Sequence, residues 1–596
     1  MLWYIFWWLS LVTLLVSVVI TIVSVKNKRN SVKSVYILFA GVFLSLVLLI
    51  YPIYKNAFNG DVGSILKAII ISSQNAIQFF SADSDFALIT ENISGLNGWL
   101  KEAYSLLGAL LIILSPLLTF SFVLSFFKKA TAPVRHFLHL PAETYVFSQI
   151  NSRSVSLAES VVKENSKSII VFTNVPKEEG NVDNGLMSRV KALDSILYAK
   201  AVSAIRIPWA SKIKKLAFFA INENEAECIN ESLLLIEKYK AYSNACIYLF
   251  SSGIESELMI NGIDKGSLQV RRVNPINSFV NHFLVKNATS LFDSAINLPN
   301  GKKEISVLIL GAGDLGKELL KALSWYCQME DYFLRINAFD KQENIKGKLE
   351  ALCPEMFDER YNGKENNGTT YYDINIHSCD VKTKAFKDIV KNIGRVSYVF
   401  VALGDDSLNV ATAVNMRVLF EQMHIHPHIS AVVSDSAKSK ALSGSEAKGK
   451  NPYDIHFIGD AQTIYSSEVI LNSAVEKEAL ELHKRYNNGS AEGFYEYEYN
   501  YKSSMASVIH YEARKYCNIP GADKCNEALN DYERDIIEVL EHKRWNAYMR
   551  SEGFVYSGSE DKKSKNQLGK MHNNLVEFER LLDEDKRKDS RVGTKS

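Results

Sequence analysis

The chain has 596 residues, with 68 Lys and Arg against 67 Asp and Glu and a formal net charge of +1. That balance argues against nonspecific nucleic-acid binding, which needs a basic face, and the length suggests about three or four domains. The seven cysteines show neither C-x-x-C nor zinc spacing, so no metal site is expected and the thiols read as reduced, in a cytosolic body.

The first part of the chain is written for a different solvent. Segments 2–25, 35–54 and 103–127 each approach the roughly 20 apolar residues that cross a bilayer, with charges only at their flanks. They predict a helical bundle of three spans within a domain at 1–140. The first segment lacks the basic start and small-residue cleavage site of a signal peptide, so it reads as a retained anchor. Lys26, Lys28, Arg29 and Lys33 set the expected topology: a multi-pass inner-membrane protein in contact with lipid, amino terminus outside, loop 55–102 outside and the following body cytoplasmic.

Within loop 55–102 the apolar runs 65–71 and 76–80 are too short to span. They suit a half-helix dipping into the membrane, or an amphipathic helix outside it. Asp83, Asp85 and Glu91 follow; in a symmetric homo-oligomer they would form acidic rings that concentrate cations at a pore, although no Thr-Val-Gly-Tyr-Gly filter is present.

From residue 141 short apolar runs alternate with helical patterns, the grammar of doubly wound parallel α/β sheets. Two units are expected, at 141–300 and 301–490. The second opens with the run 305–310 followed by Gly311, Gly313 and Gly316 in a G-x-G-x-x-G pattern, then a helical segment beginning at Asp314. Such a turn lets backbone approach a diphosphate at a helix amino terminus. A second strand at 335–339 ends in Asp340, at the distance where an acid meets ribose hydroxyls. The run 145–151 occupies the place of 308–313 but carries Gln149 and Asn151 instead of glycines, and 218–226 parallels 400–409. The two units therefore read as copies of one domain, the first degenerate. His424, His426 and His428 alternate before a strand and would share one side of an extended segment, most simply a solvated loop edge.

Three spans and two tandem Rossmann units, with Gly311, Gly313, Gly316, Asp340 and the turn at Gly404, Asp405 and Asp406, resemble the RCK, or TrkA-N, domains that regulate potassium channels and transporters. The resemblance implies that Gly311, Gly313, Asp314, Gly316, Asp340, Gly404, Asp405 and Asp406 hold NAD(H) or an adenine nucleotide, and that ligand binding moves paired domains to gate the membrane part. The last domain, 491–596, is expected to be small and mainly α. Its Glu541-His542-x-x-Trp545 core, Gly553-Phe554-x-Tyr556 turn and His572-x-x-Leu575 tail resemble the ryanodine-receptor-type repeat, which implies a ligand-binding or protein-contact module. There His542, Arg544, Trp545, Tyr548 and Tyr556 offer stacking faces and donors to a nucleotide-type anion.

Together these features lead to an expectation of a ligand-gated membrane protein, an ion channel or membrane effector, that senses a nucleotide or nucleotide-derived signal. No paired acid and base stands out, so catalysis is not expected. The alternatives are a membrane-tethered NAD-dependent oxidoreductase and a receptor scaffold with a non-conducting anchor.

Overall fold

A computed structural model describes residues 2–26, 31–81, 87–96, 98–126, 143–176, 183–207, 210–222, 224–363, 370–447, 453–471, 473–524 and 528–589. Helices Leu2–Lys26, Ser31–Ala57 and Trp99–Phe126 are long and apolar enough to cross a membrane, over Leu2–Val23, Tyr36–Ala57 and Trp99–Ser121. Small residues let the first two approach closely. A Cβ on Gly41 would fall 2.2 Å from that of Ser17, and the Ser10 hydroxyl donates to the Ser45 carbonyl at 2.8 Å.

The segment expected as an outside loop contains helices Ser64–Phe80 and Ala87–Asn92. At one end of the longer helix Lys55 Nζ donates to Ser64 Oγ at 2.7 Å. At the other end the Phe80 ring lies 4.4 Å from that of Phe39, and the Phe80 carbonyl accepts from Thr119 Oγ1 at 2.9 Å. The helix therefore runs antiparallel beside Ser31–Ala57 for most of its length, burying Ala68, Ser72, Ala76, Phe79 and Phe80. Of the acidic residues expected at a pore, Glu91 is exposed on the short helix, while Asp83 and Asp85 lie outside the described residues.

The body contains two parallel sheets. Strands β1 (Thr144–Phe147), β2 (Ile169–Phe172), β3 (Ile196–Leu197), β4 (Leu216–Ala220), β5 (Ala245–Phe250) and β6 (Gln269–Val273) are ordered β3-β2-β1-β4-β5-β6. In the second sheet β7 (Ile296–Asn297) pairs antiparallel with the start of β8 (Lys303–Leu310). Strands β9 (Tyr332–Asp340), β10 (Tyr372–Ser378), β11 (Tyr398–Val401), β12 (His428–Val432) and β13 (Ile455–Ile458) complete the order β10-β9-β8-β11-β12-β13. Both orders are 3-2-1-4-5-6, in which the winding reverses beside the first strand and opens a crevice at the carboxyl ends. One strand order thus occurs twice in the body. In the second sheet Leu308, Leu310, Val399, Val401 and Ile429 are fully buried, as in parallel strands covered on both faces.

The carboxy-terminal region is built on helices Ala474–Tyr486, Glu498–Tyr516 and Asp531–Ser551, with a two-stranded ribbon of β14 (Val555–Tyr556) and β15 (Met571–His572). Asn530 and Glu533 form a capping box at the start of the third helix, and Gly553, at φ 83°, follows its end. The buried face of this helix mixes apolar and charged residues. Tyr532 and Val539 are exposed, whereas Glu538, Glu541, Arg544 and Arg550 are buried with Leu540 and Tyr548. Paired charges occupy core positions here, and periodicity of apolar residues does not see them.

Candidate functional site

The eight residues expected to hold a nucleotide converge at the carboxyl ends of β8, β9 and β11, beside the reversal of strand order. Gly311 has φ 101°, and a Cβ there would lie 2.2 Å from the Ala402 carbonyl oxygen. A Cβ on Gly316 would lie 1.9 Å from the Gly311 carbonyl oxygen, so this glycine lets the helix Asp314–Tyr326 start directly on the turn. Gly313 differs: its φ is −64°, and nothing lies within 4 Å of the position of a Cβ. Two glycines are thus required by the turn itself, and the third faces open space.

Asp340, at the end of β9, accepts from the Ala312 and Gln342 amides, each at 2.9 Å. It therefore braces the turn, and each carboxylate oxygen keeps a lone pair for a further donor. Asp314, in the first turn of the helix, pairs with Lys317 at 3.2 Å. Gly404 has φ 87°. Asp405 caps the helix Asp406–Gln422 by accepting from the Leu408 amide at 2.8 Å. Asp406 accepts from the Ser434 and Asp435 amides at 2.9 and 3.0 Å. Burial alone would raise its pKa, but these donors, the Ser434 hydroxyl and Lys438 bring it below the ordinary carboxylate value. Asp405 and Asp406 thus shape the crevice. Asn409, in the first turn of that helix, accepts from the Leu403 amide at 2.7 Å and donates to the Val432 carbonyl at 2.9 Å. The segment after β9 covers part of the turn: Ala312 packs on Ile345 and Leu349, with Phe357 and, from β10, Ile376 against them.

The corresponding turn of the first copy is filled by its own side chains. Asn151 Nδ2 donates to the Ile221 carbonyl at 3.0 Å, and its Oδ1 accepts from the Ser154 amide at 2.8 Å. The Ser148 hydroxyl accepts from the Ile221 amide at 3.0 Å. Burial, opposed by a hydrogen bond from Ser148 and reinforced by Glu227, pushes the nearby Glu231 carboxyl up to about 7. A carboxyl raised in the folded state costs stability once it ionises, so the loss develops as pH climbs from the ordinary carboxylate range to about 7. Glu231→Gln is expected to leave stability near that of the parent at pH 5. At pH 8 it should gain about 1 to 2 kcal/mol, after allowance for solvent screening, in chemical denaturation.

A second cavity, of about 480 Å³, lies in the carboxy-terminal module. His542, Arg544 and Trp545 line it, as expected, together with Tyr499, Lys562 and Lys565. Tyr548 and Tyr556 are not part of its lining. Tyr548 faces the helix Asp314–Tyr326, its ring 6.3 Å from that of Trp325, and the Tyr556 amide donates to Glu355 at 2.8 Å. One wall carries a charge cluster that sequence reading missed. Arg514, Arg544 and Glu541 are all at most 2% exposed. Glu541 accepts from Arg514 Nη2 and from Arg544 Nε and Nη2, the last at 2.8 Å. His510 is held neutral by burial and by the two guanidinium groups, donating from Nε2 to the Gln328 carbonyl and accepting at Nδ1 from Arg514 Nε. Two cations against one carboxylate leave a surplus of one positive charge, and among the described residues Nη1 of Arg514 and of Arg544 has no hydrogen-bond partner. Arg544 was legible from its motif, but Arg514 comes from a helix more than two dozen positions away with no local signal.

Of the alternating histidines, His426 and His428 meet the same neighbours, Asp454 and His456, and His424 stands apart. His424 takes a left-handed turn conformation, φ 56°. His426 bridges Glu421 and Asp454 at 2.9 and 3.1 Å. His428 begins β12 and stacks on His456 at 4.2 Å; burial, then His456 and Arg417, bring it down to about 4.

No protein-family model matches the chain, and no curated protein matches it. A solved structure described as the crystal structure of a mutant of GsuK matches over 74% of this chain and 99% of its own, at 12% identity and a TM-score of 0.32. The strand orders above, rather than that likeness, carry the fold.

Proposed function

We propose that the protein is a ligand-gated membrane protein, an ion channel or membrane effector, whose body senses a nucleotide-type ligand. The observation that supports this most is the crevice between the Gly311 and Gly404 turns, open at Gly313 and edged by Asp340. A diphosphate there would meet the amino terminus of the helix Asp314–Tyr326, and Asp340 would accept from ribose hydroxyls. NAD(H) and adenine nucleotides fit that donor and acceptor set. We place the protein in the bacterial-type inner membrane as a homo-oligomer with its body in the cytoplasm. Mass spectrometry of the small molecule that copurifies, followed by ion flux in proteoliposomes with and without it, tests the reading. Turnover of a nicotinamide cofactor without flux would instead favour a tethered oxidoreductase, and binding with neither turnover nor flux a receptor scaffold.

The surplus positive charge beside the carboxy-terminal cavity favours a second ligand position there. Trp545 and Tyr499 supply stacking faces, and Arg544, Lys562 and Lys565 supply donors to an anion. Inorganic phosphate at millimolar concentration is expected to raise the melting temperature of the parent protein, since binding to the folded state alone stabilises it. The same titration on Arg544→Met should give no shift.

A further inference from the structure

The outward side of helix Ser64–Phe80 is mixed, with Gln74 and Gln78 exposed there beside Leu66, Ile70 and Ile77. The buried residues Ala68, Ser72, Ala76 and Phe79 mark the side turned to the spans. At about 100° per residue, the opposite side is centred on Gln74, with Lys67, Gln78 and Ser81 within about 40° of it. All four are exposed. Neither glutamine side chain has a hydrogen-bond partner among the described residues.

The depth of these groups follows from the ends of the helix. Ser64 meets Lys55 near the end of the span Tyr36–Ala57, and Phe80 reaches Phe39 near its start. Gln74 stands ten residues, or about 15 Å, beyond Ser64, which is close to the middle of a hydrocarbon layer of about 30 Å. An amide side chain left without partners in hydrocarbon is costly. The spans themselves show what a lipid-facing surface looks like in this chain. The outer face of Trp99–Phe126 presents Leu106, Leu110, Ile113, Leu117 and Phe120, and that of Leu2–Lys26 presents Val12, Leu15, Val16, Val19 and Val23.

We propose that the Gln74–Gln78 face of this helix lines a water-filled path for small hydrated ions, formed when copies of the chain place these faces around a common axis. The proposal rests on the membrane reading above and adds the lining of the path. Amide groups suit the role because each offers both donors and an acceptor to a hydrated ion without a fixed charge at mid-membrane. Ile70 and Ile77, exposed on the same side, would alternate with them as apolar rings.

The test is thiol accessibility in the full chain reconstituted into proteoliposomes, with a charged, membrane-impermeant methanethiosulfonate reagent on both sides and the parent protein as background. Gln74→Cys and Gln78→Cys are expected to react about 100-fold faster than Leu110→Cys and Ile113→Cys, because reaction needs the aqueous thiolate. If one glutamine variant fails to insert, the other carries the same comparison. Rates no faster than those of the Leu110 and Ile113 variants would overturn the proposal. So would slow labelling with ready disulfide cross-linking between copies, which would make the face a dry contact. Labelling needs no gating ligand, so fast labelling without ligand-dependent flux would leave the path standing and sink the gating reading.

Discussion

Gly316→Ala and Gly313→Arg, three residues apart in one motif, are expected to fail in opposite ways. At Gly316 a Cβ would lie 1.9 Å from the carbonyl oxygen of Gly311, a backbone atom fixed by β8 and by the Gly311 amide's bond to the Phe339 carbonyl at 2.9 Å. No rotamer relieves that contact, so the helix must move off the turn. A loss of about 3 kcal/mol or more is expected, at the upper end of overpacking effects. It should be read as a lower unfolding midpoint with nucleotide binding lost in proportion to the unfolded fraction. At Gly313 the backbone is already in a conformation open to any residue and faces no atoms within 4 Å. Gly313→Arg should therefore fold, with a stability change within about 1 kcal/mol, while its side chain occupies the opening that a diphosphate needs. Calorimetric titration with ADP and NADH is the measurement. Undiminished binding by a folded Gly313→Arg protein would remove the ligand from this crevice.

Glu541→Gln is expected to be the most damaging single change in the carboxy-terminal module. The carboxylate of Glu541 is the counter-charge of both Arg514 and Arg544, which are 0% and 1% exposed. Neutralising it leaves two buried guanidinium groups facing one another. Removal of one partner from a buried pair costs about 3 to 5 kcal/mol, and here two cations lose the same partner. Arg514→Met should cost less, because Arg544 keeps its bonds to Glu541 and the surplus positive charge is removed with the side chain. Denaturant midpoints of the two variants give the order directly. Equal losses would mean that the cluster is not organised around Glu541.

Where side chains act through nearest neighbours in sequence, the reading of the chain alone agreed with the structure. Three apolar segments became helices long enough to cross a membrane, and the strand, turn and helix around Gly311–Gly316 formed in register because the φ of Gly311 and the closeness of Gly316 are local demands. The alternation of apolar runs and helical patterns was legible too, and it appears as two sheets of one strand order.

What composition along the chain determined was which segments are long and apolar enough to cross a membrane and where a glycine turn sets a helix start directly on a strand end. The tertiary structure alone decided which polar groups answer one another across distance. It set helix Ser64–Phe80 against the spans with its glutamines outward, filled the first copy's turn with Asn151, and turned Tyr548 and Tyr556 away from the cavity that His542, Arg544 and Trp545 share. It also brought Arg514 to Glu541. The reason is that desolvation and pairing of charge depend on neighbours in space, and a helix that buries paired charges carries no apolar period by which its inner face can be read.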